Sequence, residues 1–445
     1  MAKQETSFVC QECGYDTPKF LGRCPECSMW NTLKEIRIGP VLKSSSVFSS
    51  QRNEPFKVKK LSEILQEDMT RWPTGYMEMD NVLGGGIVSG SVILLAGDPG
   101  VGKSTLLLQI ALKTSLKGKK VLYVSGEESE QQIKLRALRL RSGQAPKAND
   151  NLFLASLTNT DAIVALLESE KPDLTIIDSI QTMESENLTG LSGSVGQIRY
   201  GAGQFIRAAK TLNIPTILVG HVTKEGMVAG PMVLSHMVDT VLFLEGEKNT
   251  GVRILRSFKN RFGPVDEVGI FSMAEAGMEE VLNPEHLFLN RTNNSAGSVL
   301  VANMEGTRAF LVEVQALLVF SKLPMPPKRV SAGIDYKRLE LLLAVLQKHA
   351  RLPVEQMDVF VNVAGGLKLN DPGCDLGICL AILSSIKNIN LSKVVGIAEV
   401  GLLGELRTPP FLDKRIKEAK KLGFTKIITP KNYKTIDEVV RILSK

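Results

Sequence analysis

The sequence lacks the long apolar runs and the leader pattern that mark membrane and secreted proteins. No stretch approaches the roughly 20 consecutive apolar residues that a membrane-spanning helix needs. The start, MAKQETSFVC, has no basic segment followed by an apolar one and so does not predict a secretory signal peptide. These absences predict a cytoplasmic protein with no membrane partner.

Cysteine is also scarce, and its distribution is uneven. The chain has six cysteines, of which Cys10, Cys13, Cys24 and Cys27 fall near the start as two CxxC pairs. Disulfides are rare in a reducing compartment, whereas two such pairs supply four thiolates for one tetrahedral ion. The spacing therefore predicts a closed, structural Zn²⁺ site, with iron in a rubredoxin-like site as the alternative.

A chain of 445 residues is too long for one ordinary core, so two or three domains are expected. We predict a four-cysteine domain over 1–36, a linker rich in Ser, Lys and Pro over 37–60, a domain over 61–284 and a third unit over 285–445. The net charge of +7 suits a polyanionic partner but does not require one.

Apolar strand-like runs alternate with helix-like ones beyond the linker. The alternation predicts a parallel sheet covered by helices, and therefore an α/β fold. The runs are SVILLAG, STLLLQIALKTSL, KVLYVSG, DLTIIDS and IPTILVG.

The stretch GDPGVGKST fits the phosphate-binding pattern GxxxxGK[ST] between a predicted strand and a predicted helix. Glycines let successive backbone N–H groups turn towards phosphate oxygens, and the helix N-terminus adds its positive end. We therefore predict an ATP site in which Lys103 bridges the β- and γ-phosphates, Ser104 holds Mg²⁺ and Thr105 is a candidate base contact. The predicted nucleotide-binding residues are Gly97, Asp98, Pro99, Gly100, Val101, Gly102, Lys103, Ser104 and Thr105.

Two further strands end in acidic residues. Asp178 ends the apolar run LTIID, where the second acidic position that orients Mg²⁺ belongs. Glu127 and Glu128 follow VLYVS, at the carboxyl end of a strand, which is the ligand side of an open α/β sheet. Hydrolysis needs a carboxylate that orients or deprotonates water, and we favour Glu127 over Glu128 for this role.

These motifs together closely resemble those of the bacterial RadA (Sms) family of DNA repair and recombination proteins. The resemblance covers essentially the whole chain, through the cysteine pairs, GDPGVGKST, YVSGEES, IIDSIQT, GHVTKEG and KNRFG. It implies a RecA-like ATPase core that assembles into a homohexameric ring similar to the helicase DnaB. Such a ring encircles single-stranded DNA and extends branches at recombination intermediates. The implied partners are single-stranded and branched DNA and a recombinase such as RecA.

The resemblance also implies roles for individual residues. Glu127 matches the residue that activates water, and His221 occupies the γ-phosphate sensor position. The stretch QTMESENLTGLSGSVGQIRYGAGQ and the segment after His221 match DNA-facing loops. Composition alone predicts a mobile loop at the glycine-rich NLTGLSGSVGQ. Arg199 and Lys224 are candidate phosphate contacts, with solvated cations as the alternative.

The C-terminal stretches GGLKLNDPGCDLGICLAILSS and GIAEVGLLGELRTPPFLDKRIKEAKKLGF resemble the proteolytic domain of Lon, which uses a serine and lysine dyad. Cys374 falls near the nucleophile position and Asp413 near the lysine position. An aspartate cannot act as the amine base, and Lys414 would point elsewhere on a helix. We therefore expect a scaffold that is inactive as a protease, with Cys374 as a small buried hydrophobe. Its basic helix offers either a DNA-backbone contact or a solvated face through Lys417, Lys420 and Lys421.

The stretch SFKNRFGPV places Lys259 and Arg261 between two strand-like runs, GVRILRSF and DEVGIFSM. Both cations are predicted near a hairpin tip and on the same side of an extended chain. Charge alone allows a solvated turn. Head-to-tail assembly, however, lets a cation from one subunit meet the γ-phosphate bound by its neighbour. The resemblance to RadA and DnaB implies that Arg261 is an arginine finger and Lys259 its partner.

The predicted enzyme is thus an ATP hydrolase with catalytic residues Lys103, Glu127, Asp178, Lys259 and Arg261. A KaiC-like regulatory ATPase without DNA translocation is the alternative, although the cysteine pairs and the Lon-like unit argue against it. An ATP-dependent protease is disfavoured by the missing lysine.

Overall fold

The computed structural model describes residues 6–10, 16–17, 19–25, 28–37, 60, 71–140, 151–188, 190–221, 231–246, 251–283, 295–321 and 326–443. Two compact units make up the chain: Met1–Val265 with Gly269–Glu280, and Asp266–Val268 with Val281–Lys445. Among the described residues, no helix has the length and apolar character needed to cross a membrane.

Three short strands form a small sheet at the start of the chain. They are β1 (Thr6–Cys10), β2 (Asp16–Thr17) and β3 (Leu33–Arg37), in the order β2-β1-β3. Both pairings are antiparallel.

Nine of the described strands form one large sheet in the first unit and at its boundary. A further antiparallel pair, β4 (Arg71–Trp72) and β5 (Ile87–Val88), lies outside it. Along the large sheet the order is β14-β13-β12-β11-β6-β10-β9-β7-β8. Its strands are β6 (Val92–Gly97), β7 (Val121–Ser125), β8 (Leu152–Ser156), β9 (Leu174–Asp178), β10 (Thr216–His221), β11 (Thr240–Glu245), β12 (Val252–Asn260), β13 (Val268–Ala274) and β14 (Gly277–Glu280).

The part of this sheet from β11 to β8 is parallel, which confirms the α/β prediction. Its central strands read as continuous apolar runs because they are buried on both faces. In β6, Ile93 and Leu95 pack into one core cluster, whereas Val92 and Leu94 pack into another. The helices of this unit are α1 (Met77–Leu83), α2 (Lys103–Leu116), α3 (Glu130–Arg139), α4 (Thr160–Glu170), α5 (Val195–Leu212) and α6 (Pro231–Ser235).

Helix α5 corrects the prediction of a loop over the whole glycine-rich stretch after β9. The second half of that stretch, from Val195, is helical. Ser194 caps the helix by accepting a hydrogen bond from the Gln197 N–H, and the buried face then packs as Ile198 and Phe205. Gly201 lies where a Cβ would approach the Thr160 hydroxyl to 3.3 Å. This glycine therefore serves close packing and does not mark a loop.

The second unit contains a mixed sheet of six described strands in the order β17-β18-β16-β15-β19-β22. Its strands are β15 (Ser298–Glu305), β16 (Arg308–Phe320), β17 (Arg329–Ala332), β18 (Met357–Val363), β19 (Val394–Gly396) and β22 (Lys426–Ile428). A separate antiparallel pair consists of β20 (Glu399–Val400) and β21 (Leu406–Arg407). The helices are α7 (Tyr336–Ala350), α8 (Asp375–Lys387), α9 (Leu412–Lys421) and α10 (Ile436–Leu443).

A buried ion pair organises the start of α8 in this unit. Arg415, whose side chain is 1% exposed, pairs with Asp371 and also donates to the carbonyls of Ala302 and Pro410. Cys374 lies beside this pair, with its thiol 3.8 Å from Asn303 Oδ1. Burial raises the pKa of the Cys374 thiol well above its ordinary value, so the thiol stays protonated.

The position predicted to correspond to the protease lysine lies on the surface. The Asp413 side chain is 87% exposed and pairs with Lys431 at 2.7 Å. Lys414, the next residue, donates to the Thr307 carbonyl at 3.3 Å. The buried thiol of Cys374 therefore contacts Asn303, while both residues near the lysine position bind elsewhere.

Asp371→Ala should destabilise the second unit by about 3–5 kcal/mol, because it leaves the buried Arg415 guanidinium without its counter-charge. Hydrogen–deuterium exchange of β15 in the full chain measures this loss locally. Lys431→Ala is the control, since it breaks an exposed pair that contributes at most about 1 kcal/mol. If β15 stays as protected in Asp371→Ala as in the wild type, the ion pair does not support this unit.

Candidate functional site

The phosphate-binding stretch forms the turn between β6 and α2, as its pattern predicts. Gly97 and Gly102 both have positive φ, at 153° and 111°. A Cβ on Gly97 would lie 2.3 Å from the Leu244 carbonyl oxygen, and one on Gly102 would lie 2.6 Å from the Met278 methyl. Both positions therefore require glycine. The turn is also tied down from β12, because Arg253 Nε donates to the Val101 carbonyl at 3.0 Å.

Lys103 is buried at the first position of α2, with its ammonium directed into the turn. Its Nζ donates to the carbonyls of Gly97 at 2.8 Å and Asp98 at 3.0 Å. Burial lowers the pKa of Lys103, while the charges of Asp178 and Asp98 oppose that shift. A buried ammonium at a helix N-terminus is a strong anion site. Ser104 follows in the same turn of the helix and is half-buried.

Asp178 is buried at the carboxyl end of β9, beside the phosphate-binding turn. Its Oδ2 accepts a hydrogen bond of 2.6 Å from the Tyr123 hydroxyl. Burial and the neighbouring Asp178 charge raise the pKa of Tyr123 well above its ordinary value, so the phenol remains a donor. The peptide bond from Asp178 to Ser179 is cis. The charge of Asp178 acts on Lys103, so its carboxylate lies close to the phosphate-binding turn, where it has the chemistry to hold a divalent cation.

The two adjacent glutamates after β7 have different partners. Glu127 Oε1 accepts a 2.7 Å hydrogen bond from Ser179 Oγ and lies 3.6 Å from His221 Nε2. Glu128 instead pairs with Arg136 of α3 at 2.7 Å. Glu127 is thus the glutamate that joins the group around Lys103, while Glu128 is held by a helix outside that group.

His221 connects Lys103 with Glu127. Its Nδ1 lies 3.2 Å from Lys103 Nζ, and since an ammonium can only donate, Nδ1 is the acceptor. The ring proton then lies on Nε2, which faces Glu127. Burial, followed by the charge of Lys103, lowers the pKa of His221, so the ring is neutral near pH 7. The site therefore has a continuous polar path from the lysine to the glutamate.

An open cleft of about 540 Å³ adjoins the first turn of α2. Thr105, the predicted base contact, lines this cleft together with Arg139 of α3 and Met273 of β13. The lining combines apolar side chains with a few polar groups, which is typical of sites that hold small organic molecules.

The last residues of β12 and the last residues of β6 are far apart in the direction of the strands. Thr240 of β11 pairs with Ile93 of β6 on one side and with Asn260 of β12 on the other. Gly97, where the phosphate-binding turn begins, lies four residues beyond Ile93, or about 13 Å at the usual strand rise. Arg261 follows Asn260 in the opposite direction, because β12 is antiparallel to β11. The phosphate-binding turn and Arg261 therefore lie at opposite edges of the sheet.

The side chains of Lys259 and Arg261 both contact the segment that directly precedes β11. They were predicted to lie on the same side of the chain. Lys259 Nζ donates to the carbonyls of Ser235 at 2.7 Å and Val238 at 2.8 Å. Burial, and then the charge of Arg261, lower the pKa of Lys259. Arg261 Nη1 lies 3.2 Å from Asp239 Oδ1, and its side chain is 53% exposed.

The cysteine site is described in part. Cys10 and Cys24 are both buried in one small cluster with Leu33, and Cys10 Sγ lies 3.2 Å from Thr32 Oγ1. The Ser28 N–H donates to the Cys24 carbonyl at 2.9 Å, which makes a tight turn after that cysteine. One cysteine from each CxxC pair thus lies in the same buried cluster, and a shared metal requires the two pairs to come together. The second members of the pairs, Cys13 and Cys27, lie outside the described residues.

The candidate DNA contacts are described unevenly. Arg199 is exposed on α5, whereas Lys224 lies outside the described residues. In the second half of α9 three lysines are exposed, and one of them pairs with Glu418 at 3.1 Å. These three are Lys417, Lys420 and Lys421.

Three site residues were missed from the sequence. Tyr123 is hidden in an apolar run, and Ser179 follows Asp178 as an ordinary strand-end serine. Asp239 is the third, and its only signal is an acid directly before the apolar strand TVLFLE. In each case the partner is distant in sequence, so spacing gives no warning.

Residues 62–227 match the family model described as an AAA domain, and residues 8–35 match one described as a rubredoxin metal binding domain. The DNA repair protein RadA of Streptococcus pyogenes serotype M6 is 46% identical over 97% of this chain and 94% of its own length. The DNA repair protein RadA of Aquifex aeolicus is 46% identical over 97% and 95%. Among solved structures, the RadB recombinase is 25% identical over 47% of this chain and 98% of its own, with a TM-score of 0.38.

Proposed function

The chain belongs to the RadA family of DNA repair proteins, and on that premise we propose that it is a DNA-dependent ATPase motor. It processes recombination intermediates by branch migration, as a homohexameric ring on single-stranded DNA and with a recombinase as partner. The observation that carries the proposal is the separation of the phosphate-binding turn from Arg261 across the sheet. If Arg261 belongs to the site, as proposed below, the site needs a second copy of the chain.

We assign ATP to the turn from Gly97 to Thr105. The assignment is supported by two positions that only glycine fits, by the buried ammonium of Lys103 and by the cleft beside Thr105. Ser104 and Asp178 are the residues that would hold Mg²⁺. When bound, the ion neutralises charge on the phosphate oxygens.

Glu127 is assigned as the residue that orients and deprotonates the attacking water. Its support is the hydrogen bond from Ser179 and the proximity of neutral His221, which hold the carboxylate in the group around Lys103. His221 is assigned as the γ-phosphate sensor, because its Nδ1 already contacts the Lys103 ammonium. Phosphate binding at Lys103 would change that contact, and His221 would pass the change on to Glu127.

For the N-terminal cysteines we propose zinc over iron, bound by Cys10, Cys13, Cys24 and Cys27. The match to a metal binding domain supports a metal, and a four-thiolate set suits a structural Zn²⁺ ion. We assign residues 1–36 to this domain, 37–60 to a linker, 61–284 to the RecA-like ATPase and 285–445 to a Lon-like scaffold without peptidase activity. The protonated, buried Cys374 and the exposed Asp413 support the last assignment.

Arg261 is assigned as an arginine finger that acts in the neighbouring subunit, with Lys259 as its partner. An arginine side chain cannot span the roughly 13 Å and more that separate it from its own phosphate-binding turn. Its planar fork suits phosphate oxygens, and more than half of the side chain is exposed. Head-to-tail contact would bring one subunit's Arg261 to the next subunit's γ-phosphate.

Glu127→Gln should retain ATP binding but lower kcat by roughly a hundredfold or more, because the amide cannot accept the proton of the attacking water. Glu128→Gln is the matched control and should hydrolyse ATP at close to the wild-type rate, since Glu128 pairs with Arg136. Fluorescent ATP binding and steady-state phosphate release measure both. The reverse ranking of the two variants would move the role to Glu128.

Single-stranded DNA should stimulate ATP hydrolysis, whereas casein should not.

If α9 contacts the DNA backbone, replacing Lys417, Lys420 and Lys421 by Gln should reduce the slope of log affinity against log salt by about 2. Phosphate release and fluorescence anisotropy across a salt series measure the two effects. If no DNA changes the rate of ATP hydrolysis, the regulatory ATPase is favoured. If the salt slope is unaltered, α9 does not contact the DNA backbone.

Arg261→Ala should bind ATP normally and lose roughly a thousandfold in kcat. Mixing it with Lys103→Ala subunits should restore part of the activity. In such a mixture, an intact phosphate site on one subunit faces an intact Arg261 on the next. Normal hydrolysis by Arg261→Ala alone would remove the finger assignment, and a mixture with no gain would argue against action between subunits.

A further inference from the structure

Asp239 is a buried carboxylate at the edge of the sheet where Arg261 lies. Its side chain is 3% exposed, and its Oδ2 accepts a 3.1 Å hydrogen bond from the Val92 N–H at the start of β6. Its own N–H donates to the Val92 carbonyl at 3.0 Å, and its carbonyl accepts from the Arg261 N–H at 3.1 Å. The carboxylate is therefore fixed to the sheet and cannot follow a moving partner.

Two cations share the other oxygen of this carboxylate. Lys210 Nζ and Arg261 Nη1 each lie 3.2 Å from Asp239 Oδ1. Lys210 comes from the last turn of α5 and Arg261 from the end of β12, so they approach from different elements. Their side chains are 49% and 53% exposed. Each cation thus reaches from the surface to one buried charge.

The shared contact bears on the work proposed for Arg261. A finger must leave its resting partner to meet phosphate in the next subunit. If Arg261 alone compensated Asp239, its departure would leave a buried carboxylate without a counter-charge, which is strongly unfavourable. Because Lys210 contacts the same oxygen, Asp239 stays compensated when Arg261 leaves. The cost of releasing the finger is thereby reduced.

Lys259 lies outside this exchange. Its ammonium is held by the carbonyls of Ser235 and Val238, which are neutral dipoles. It can turn towards an incoming phosphate without leaving a buried charge behind. Of the two cations in KNRFG, Arg261 is therefore the one that needs a replacement at its resting place.

We propose that Asp239 is the resting place of Arg261 and that Lys210 is a positioning residue that takes over Asp239 when Arg261 moves to the neighbour's nucleotide. The proposal rests on the finger function proposed above for Arg261. Neither Lys210 nor Asp239 touches the nucleotide. Both affect hydrolysis indirectly, because they set the fraction of time in which Arg261 is free to contact the nucleotide of the next subunit.

The test compares kcat and KM for ATP in full-length variants with saturating single-stranded DNA. Lys210→Met should lower kcat by about tenfold while KM stays near the wild-type value, because Arg261 is retained on Asp239 and the phosphate-binding turn is untouched. Lys210→Arg keeps the charge and should restore kcat. Lys119→Met is the matched control, since Lys119 is also 49% exposed and pairs with a carboxylate, Asp173. It should leave both constants unchanged.

The double variant Lys210→Met with Asp239→Asn separates retention of the finger from a merely structural effect. The substituted amide has no charge to retain Arg261, so the double variant should have a higher kcat than Lys210→Met alone. A structural role predicts that the second substitution lowers activity further. Circular dichroism checks that the double variant folds. If it does not, the comparison of Lys210→Met with Lys210→Arg still decides the matter.

Two outcomes would overturn the inference: wild-type kcat in Lys210→Met, or a double variant that folds but is no more active than Lys210→Met. Arg261→Ala, measured in the same experiment, distinguishes failure of the exchange at Asp239 from failure of the finger function proposed for Arg261. If Arg261→Ala is inactive and Lys210→Met is normal, the finger stands and only the exchange at Asp239 is wrong. If Arg261→Ala itself is fully active, the proposed finger fails and the inference fails with it.

Discussion

The reversal of chain direction between β11 and β12 is the constraint on which the proposed chemistry depends. β6 and β11 run parallel, so the turn after β6 and the end of β11 share one edge of the sheet. β12 returns antiparallel along β11 and carries its last residues to the opposite edge. A cation placed after β12 is thereby kept away from the phosphate site of its own chain. If Arg261 acts as the proposed finger, assembly is a condition of hydrolysis, and a ring would control when ATP is used.

At the other edge, burial sets the charge states that the site needs. The ammonium of Lys103 contacts two backbone carbonyls and the neutral ring of His221, and no carboxylate of the described residues forms a salt bridge with it. The same ring faces Glu127, whose carboxylate is held by Ser179. Phosphate binding would thus change the environment of Glu127, the carboxylate proposed to activate water, through one imidazole. In that proposal the arrangement links occupancy of the site to its reactivity.

Much of this core was predictable, because glycine patterns and apolar runs report local requirements. The turn from Gly97 to Gly102, the strand that ends at Asp178 and the paired glutamates were placed by such patterns. The structure distinguishes Glu127 from Glu128 by their hydrogen-bond partners. Glu127 bonds to Ser179, more than 50 residues away in sequence, whereas Glu128 bonds to Arg136, only eight residues away. Helix α5 was hidden because its stretch is rich in glycine, of which Gly201 serves packing against Thr160 of α4. The role of Asp239 could not be predicted from its one signal, an acid before an apolar strand, because its three partners come from β6, α5 and the residue after β12.

An electron-microscopy structure of the full-length protein with single-stranded DNA and a non-hydrolysable ATP analogue tests the divided site most directly. The account predicts a closed ring in which Arg261 of each subunit contacts the γ-phosphate bound by the next. It is contradicted if the phosphates are contacted only by side chains of their own subunit, while Arg261 remains on Asp239 and faces solvent.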